Sequence, residues 1–141
     1  NSKMKTLLFL LAVICFATVS YSQTYSYSKL VKKASVQTSS GYEERIIGTT
    51  QGSFRIVFET PNDSQIKKLF TILNPGQANA PGLPWFGLLK DMGYVEKDNK
   101  LLKKSLYYDT ENNEKVLVLI ADDYSQVVIF KSDDTIWEYL K

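Results

Sequence analysis

The chain has 141 residues, with 17 Lys and Arg against 15 Asp and Glu, no histidine and a single cysteine. That length suits one domain with a substantial core. The residues it lacks exclude a serine–histidine triad, histidine-ligated zinc or haem and any disulfide framework, and the near-balanced charge is unlike the basic footprint of a nucleic-acid binder.

In chain order, Met4-Lys5 precede an apolar run from Leu7 to Ala17, followed by Thr18-Val19-Ser20-Tyr21-Ser22-Gln23. A basic start, a short apolar core and the small residues Ser20 and Ser22 read as a secretory signal peptide cleaved before Gln23. The run is shorter than the ~20 residues of a spanning helix, so no stable membrane span is expected after cleavage. Ile14 ahead of Cys15 argues against a lipoprotein, and Asn1-Ser2-Lys3 lie upstream of a start at Met4. Residues 1–22 are therefore expected to be an N-terminal extension and cleaved signal peptide, and 23–141 a single β-rich domain, secreted or periplasmic. Cleavage removes Cys15 together with Lys3 and Lys5, which leaves the bases and acids in balance.

A first strand is expected over Tyr25–Val36. Ile46-Ile47 and Phe54–Glu59 follow as the arms of a hairpin around Gly48-Thr49-Thr50-Gln51-Gly52. After Pro61 the rhythm changes. Ile66, Leu69, Phe70 and Leu73 have helical spacing, so residues 63–73 read as an amphipathic helix capped by Asn62 and ended by Asn74-Pro75-Gly76. A second short helix is expected from Pro84, with Trp85, Leu88, Leu89 and Met92 on its apolar face and Gly93 as its stop. A short strand at Tyr94–Glu96 and strands at Leu101–Tyr108, Val116–Ala121, Ser125–Lys131 and Thr135–Leu140 complete a meander with Asp/Asn-rich turns.

Val116–Ala121 and Val127–Phe130 are apolar on both faces, so something must cover each side. The expected class is α+β: a predominantly antiparallel β meander of about seven or eight strands, with two short helices inserted after the third strand as cover. Its size and meander resemble the small secreted barrels that carry lipids. The Gly-x-Trp signature of lipocalins is absent near the first strand, however, and the expected helices fall at a different place, so the likeness is one of architecture.

No catalytic constellation stands out. Ser64-Gln65-Ile66-Lys67 matches the Ser-x-x-Lys of penicillin-binding hydrolases, yet their companion motifs are missing and the chain is too short for that fold. Asn62-Asp63-Ser64 is an N-glycosylation sequon as well as a helix start. Asp109–Glu114 is rich in oxygen ligands but lacks the glycine and glutamate spacing of an EF-hand loop, and reads as a hairpin turn. Glu59, Glu96 and Glu138 are the carboxylates available for a glycoside hydrolase, and alternation sends Glu59 to solvent. No metal and no cofactor are expected.

The aromatics carry more. With 9 Tyr, 7 Phe and 2 Trp, the chain gathers Trp85-Phe86 at the end of the Pro- and Gly-rich loop Pro75–Pro84. Tyr107-Tyr108 and Trp137-Glu138-Tyr139 form a second set. Trp85, Phe86, Tyr108, Trp137 and Tyr139 are the candidate ligand-binding residues, with core packing as the plain alternative. Lys103 or Lys104, if turned inward, would meet a ligand carboxylate, whereas an edge lysine guards against aggregation. The expectation is a non-catalytic secreted or periplasmic binding module for a small apolar ligand or glycan. The alternative is a protein–protein interaction or inhibitor module of the cell envelope, and a carboxylate-based hydrolase ranks below both. Nucleic acid is not an expected partner.

Overall fold

A computed structural model of the protein describes residues 21–61 and 68–141. Eight antiparallel strands follow one another as nearest neighbours and close on themselves. They are β1 (Tyr21–Thr38), β2 (Gly41–Thr60), β3 (Leu69–Leu73), β4 (Phe86–Lys97), β5 (Lys100–Asp109), β6 (Glu114–Ala121), β7 (Gln126–Phe130) and β8 (Thr135–Leu140). Closure runs through β1 and β8, where Lys29 faces Leu140 and Ala34 faces Thr135. The expected signal segment lies outside the described residues, apart from Tyr21 and Ser22, which pair with Thr60 and Glu59.

The α+β expectation is corrected: the described residues contain no helix. The sequon and the start of the expected 63–73 helix fall among residues 62–67, outside the description. Its remaining apolar positions form β3, where Phe70 and Ile72 join the core and Leu73 is also fully buried. Burial on both faces removes the period-2 alternation that marks a half-exposed strand, leaving spacings that imitate a helix. The second expected helix is the start of β4. Irregularities between Leu88 and Lys90 and between Asp91 and Tyr94 break its alternation. Leu89 and Met92 are exposed, while Leu88 packs on the core. Gly93, at φ 83, marks a bend in the strand instead of a helix end.

The expected loop at Gly48–Gly52 is likewise part of the continuous 20-residue β2. The turn sits earlier, at Ser39-Ser40, with Gly41 at φ 126. The strands expected in the C-terminal half are present as β5–β8. Asp98 and Asn99, both at positive φ, make the tight two-residue turn that joins β4 to β5.

An eight-stranded barrel is just wide enough inside to be filled by side chains or to hold one small ligand. Here aromatics fill the middle. Tyr27, Phe54, Phe70, Tyr107 and Tyr139 pack with Ile56, Val118, Val127 and Ile129. Phe70 stacks on Phe86 at 4.7 Å and meets Tyr107 edge-on at 4.9 Å.

The outer faces of β6 and β7 are covered as well, by hairpins and not by helices. Leu102, Leu119, Val128 and Ile136 form a second apolar cluster against Val95. Beside it, Glu138 is 4% exposed. Its Oε1 lies 3.1 Å from Lys33 Nζ and 3.3 Å from Lys97 Nζ, and Glu44 stands 3.7 and 3.6 Å from the same two ammoniums. Three strand spacings of roughly 4.8 Å separate β5 from β8. Lys97 therefore reaches Glu138 only because the β4–β5 hairpin folds back over the sheet. Burial opposes the charge on Lys33, but the hydrogen bond to Glu138 and the attraction of Glu138, Glu44 and Asp98 outweigh it and raise its pKa above the ordinary lysine value.

The filled core sets the pH response. Burial pushes the phenols of Tyr27, Tyr107 and Tyr139 well above the ordinary tyrosine value of 10.0. The unfolded chain would ionise these groups from about pH 10, while the fold keeps them neutral. Their contribution is complete below that pH and declines above it, by up to about 1.4 kcal/mol per pH unit for each phenol. Lys33 acts in the same direction, since its raised pKa favours the fold while the ammonium is charged. Thermal melts followed by circular dichroism should therefore be nearly flat from about pH 6 to 9 and fall steeply above about pH 10, with the phenolate absorbance of these three tyrosines appearing only on unfolding. Phenolate absorbance from all three tyrosines ahead of unfolding would contradict this packing.

Candidate functional site

The packed middle leaves a recess at each end of the barrel. At one end, the β6–β7 turn folds Tyr124 over the opening. Tyr124 has φ 58, an uncommon conformation for an aromatic residue. It is held there from several sides: it stacks on Tyr25 at 4.3 Å, meets Phe58 at 5.0 Å, and its carbonyl accepts a hydrogen bond from the Tyr27 hydroxyl at 2.7 Å. Beneath it lies a recess of about 320 Å³ with Phe58, Leu88, Tyr107 and Ile120 as apolar walls. Asp91 of β4 and Lys103 and Ser105 of β5 form a linked polar set in its wall, and Gln23, Glu59, Lys68 and Asp122 line it too. The Ser105 hydroxyl donates to Asp91 Oδ1 at 3.1 Å, and Lys103 Nζ lies 3.5 Å from the same oxygen. Asp91, Ser105 and Lys103 satisfy one another, so a ligand reaching them would have to replace existing bonds.

At the other end, a recess of about 330 Å³ is walled by Ile72, Leu83, Phe86, Ile129, Trp137 and Tyr139. This volume is near the lower end of the roughly 300–1,000 Å³ of small-molecule pockets. The β3–β4 loop builds one wall, and its start is fixed to β2. Arg55 donates to the Gln77 carbonyl, and Pro75 packs so closely on Gly52 that a Cβ there would meet it at 2.7 Å. Its far end is tied to the β5–β6 turn, where the Trp85 backbone N–H donates to Thr110 Oγ1 at 2.9 Å and the Thr110 hydroxyl donates to the Trp85 carbonyl at 2.7 Å. That turn is organised by buried Asp109, which accepts from the Glu111 backbone at 3.0 Å and from the Asn112 side chain at 2.9 Å. Asp109–Glu114 is thus a hairpin turn. Among the described residues there is no cluster of three His, Cys, Asp or Glu that could hold a metal.

Trp137 gathers two lysines, of which Lys131 lines this second recess. Lys131 Nζ lies 3.8 Å and Lys32 Nζ 4.2 Å from the centroid of its ring. Among the described residues neither ammonium has an ion-pair partner.

Of the five aromatics singled out in the sequence, Phe86, Trp137 and Tyr139 come together here. Trp85 and Tyr108 do not. Trp85 lines a groove on the outer side of β3 and lies over Gly87, where a Cβ would meet its ring at 2.7 Å. The Tyr108 hydroxyl donates to Asn113 Oδ1 at 3.2 Å on the exposed β5–β6 turn. Lys103 lines the Tyr124 end and is engaged by Asp91. Sequence reasoning missed Lys32 and Lys131, because only the closure of β1 on β8 sets Lys32 opposite Trp137. It also missed Tyr124, which stands in a turn.

Glu59, Glu96 and Glu138 do not converge. Glu138 is held by two lysines on the outer face, Glu96 is exposed on the β4–β5 hairpin, and only Glu59 lines a recess. No helix among the described residues is long and apolar enough to cross a membrane. The chain matches no family model, no curated protein and no solved structure.

Proposed function

We propose that the protein is a non-catalytic binding module that holds a small, largely apolar molecule in the recess at the Trp137 end of the barrel. The observation that carries this reading is the meeting of Phe86, Trp137 and Tyr139 from β4 and β8 around one opening of about 330 Å³. Barrel mouths with apolar walls and a few polar groups are common places for small ligands. The filled middle limits the ligand to a single ring or a short chain, since Phe70 and Tyr107 block the way to the opposite end. A small sugar against Phe86 and Tyr139 is the polar counterpart of the same site. Secretion or periplasmic residence, expected from the N-terminal segment, would suit a carrier of this kind.

One observation favours the interaction module as a second reading. β2 pairs with β3 only through Arg55–Glu59, so among the described residues its Gly41–Phe54 stretch has no strand on that side. Tyr42, Ile46 and Ile47 are exposed along it, and an open edge with apolar side chains can accept another strand.

An amide NMR titration with octanol, a phenyl alcohol and a monosaccharide separates the two. The pocket reading predicts saturable shifts at Ile72, Phe86, Trp137 and Tyr139. No shift with any compound, together with concentration-dependent broadening along Gly41–Phe54, would replace it with the interaction reading.

A further inference from the structure

The head group of the bound molecule follows from the two lysines on Trp137. This step rests on the reading of that recess as the ligand site. We propose that the site selects an amphiphile with an anionic head, a short-chain carboxylate being the simplest member, with the chain against Phe86 and Tyr139 and the anion at the rim beside Lys131, which lines the recess, and Lys32, which lies against the same Trp137 ring.

Two ammoniums lie within 4.2 Å of one ring centroid. The indole face attracts each of them and orders their flexible stems. It cannot neutralise their charge, and an anion held at the rim would. Neither neighbouring acid forms an ion pair with these lysines among the described residues. Glu114 accepts from the Ser132 hydroxyl. Asp133 accepts from the Thr135 side chain and backbone, and these bonds together with the attraction of Lys131 lower its pKa. Glu111 is the single acid among the residues lining the recess. It forms no ion pair with either lysine among the described residues, so it opposes an anion without neutralising the pair.

The opposite end shows the contrast. There Lys68 and Lys103 stand among Glu59, Asp91 and Asp122, and Lys103 is paired with Asp91, so acids outnumber bases in the lining. The two recesses are of similar size, and they differ in charge: Glu111 is the one acid lining the Trp137 end, against Lys131 in its wall and Lys32 beside the Trp137 ring.

The test is calorimetric titration of the protein with sodium octanoate, 1-octanol and octylammonium chloride, which share one chain and differ in head charge. Octanoate should bind at least about tenfold more tightly than octanol, and octylammonium more weakly than both. In Lys32→Met/Lys131→Met, which keeps the apolar stems, octanoate should fall to the octanol affinity while octanol changes less than about twofold. Glu111→Gln should tighten octanoate and leave octanol unchanged, an outcome that a merely structural role for these side chains would not produce. Equal binding of octanoate and octanol in the wild-type protein overturns the anionic head but leaves the apolar recess standing. Preference for octylammonium assigns the rim to Glu111 and overturns it too. Failure of all three to bind overturns the site reading itself.

Discussion

Phe70→Ala is expected to lower stability by about 3–5 kcal/mol, the range for truncating a buried aromatic residue. Phe70 is completely buried. It contacts Phe86 at 4.7 Å, Tyr107 at 4.9 Å and Phe58 at 5.6 Å. It also sits at the weakest seam of the barrel, since β3 and β4 pair only through Leu69–Gly87 and Phe70–Phe86. Side-chain packing therefore has to hold what backbone ladders hold elsewhere. Urea unfolding would read the loss as a lower midpoint with little change in slope. The variant should also alter binding. Phe58 and Tyr107 wall the Tyr124 end and Phe86 walls the Trp137 end, so removing the ring between them joins the two recesses. A longer chain, such as dodecanoate, should then gain affinity relative to octanoate. A loss below about 1 kcal/mol would mean that the barrel middle is not packed as described.

The second large effect is expected at Glu138. Changing it to Gln keeps the shape but leaves Lys33 and Lys97 partly buried with only the more exposed Glu44 as counter-charge. Breaking one member of a buried ion network costs about 3–5 kcal/mol, whereas replacing the whole set by apolar groups is often neutral. Glu138→Gln should therefore lower the melting temperature by roughly 10–20 °C, and Glu138→Leu with Lys33→Met and Lys97→Met should recover most of it. The effect should also be local. Glu138 ties β8 to the tips of both long hairpins, so amide exchange should rise over Val95–Leu102 before it rises in β6 and β7. Unchanged exchange there would show that the hairpin is held by Val95 and Leu102 alone.

The strands of the C-terminal half were legible because Asp- and Asn-rich turns bracket runs of β-branched and aromatic residues. Legible too was the need to cover both faces of Val116–Ala121 and Val127–Phe130. The nature of the cover was not. It depends on the β4–β5 hairpin folding back until Lys97 meets Glu138, a contact between residues 41 positions apart in sequence. The helices were misread for a local reason. Leu69 to Leu73 is buried on both faces, and β4 carries two irregularities, so neither shows period-2 alternation. Of the candidate site, the large aromatics could be picked out by size and clustering. Which of them share a recess depends on strand closure. Phe86, Trp137 and Tyr139 turn toward one opening, while Trp85, one residue from Phe86, lies against Gly87 on the outer side.

Native mass spectrometry of the protein isolated from its own source tests the central claim most directly. The account predicts a monomer that carries an additional non-covalent mass of a small molecule, retained under gentle ionisation and lost on denaturation, and missing when Trp137 and Phe86 are both replaced by alanine in a protein that still gives the barrel's circular dichroism. A bare dimer or a complex with another protein, with no small molecule aboard and none taken up from the octyl series, would contradict it and move the function to the open edge of β2.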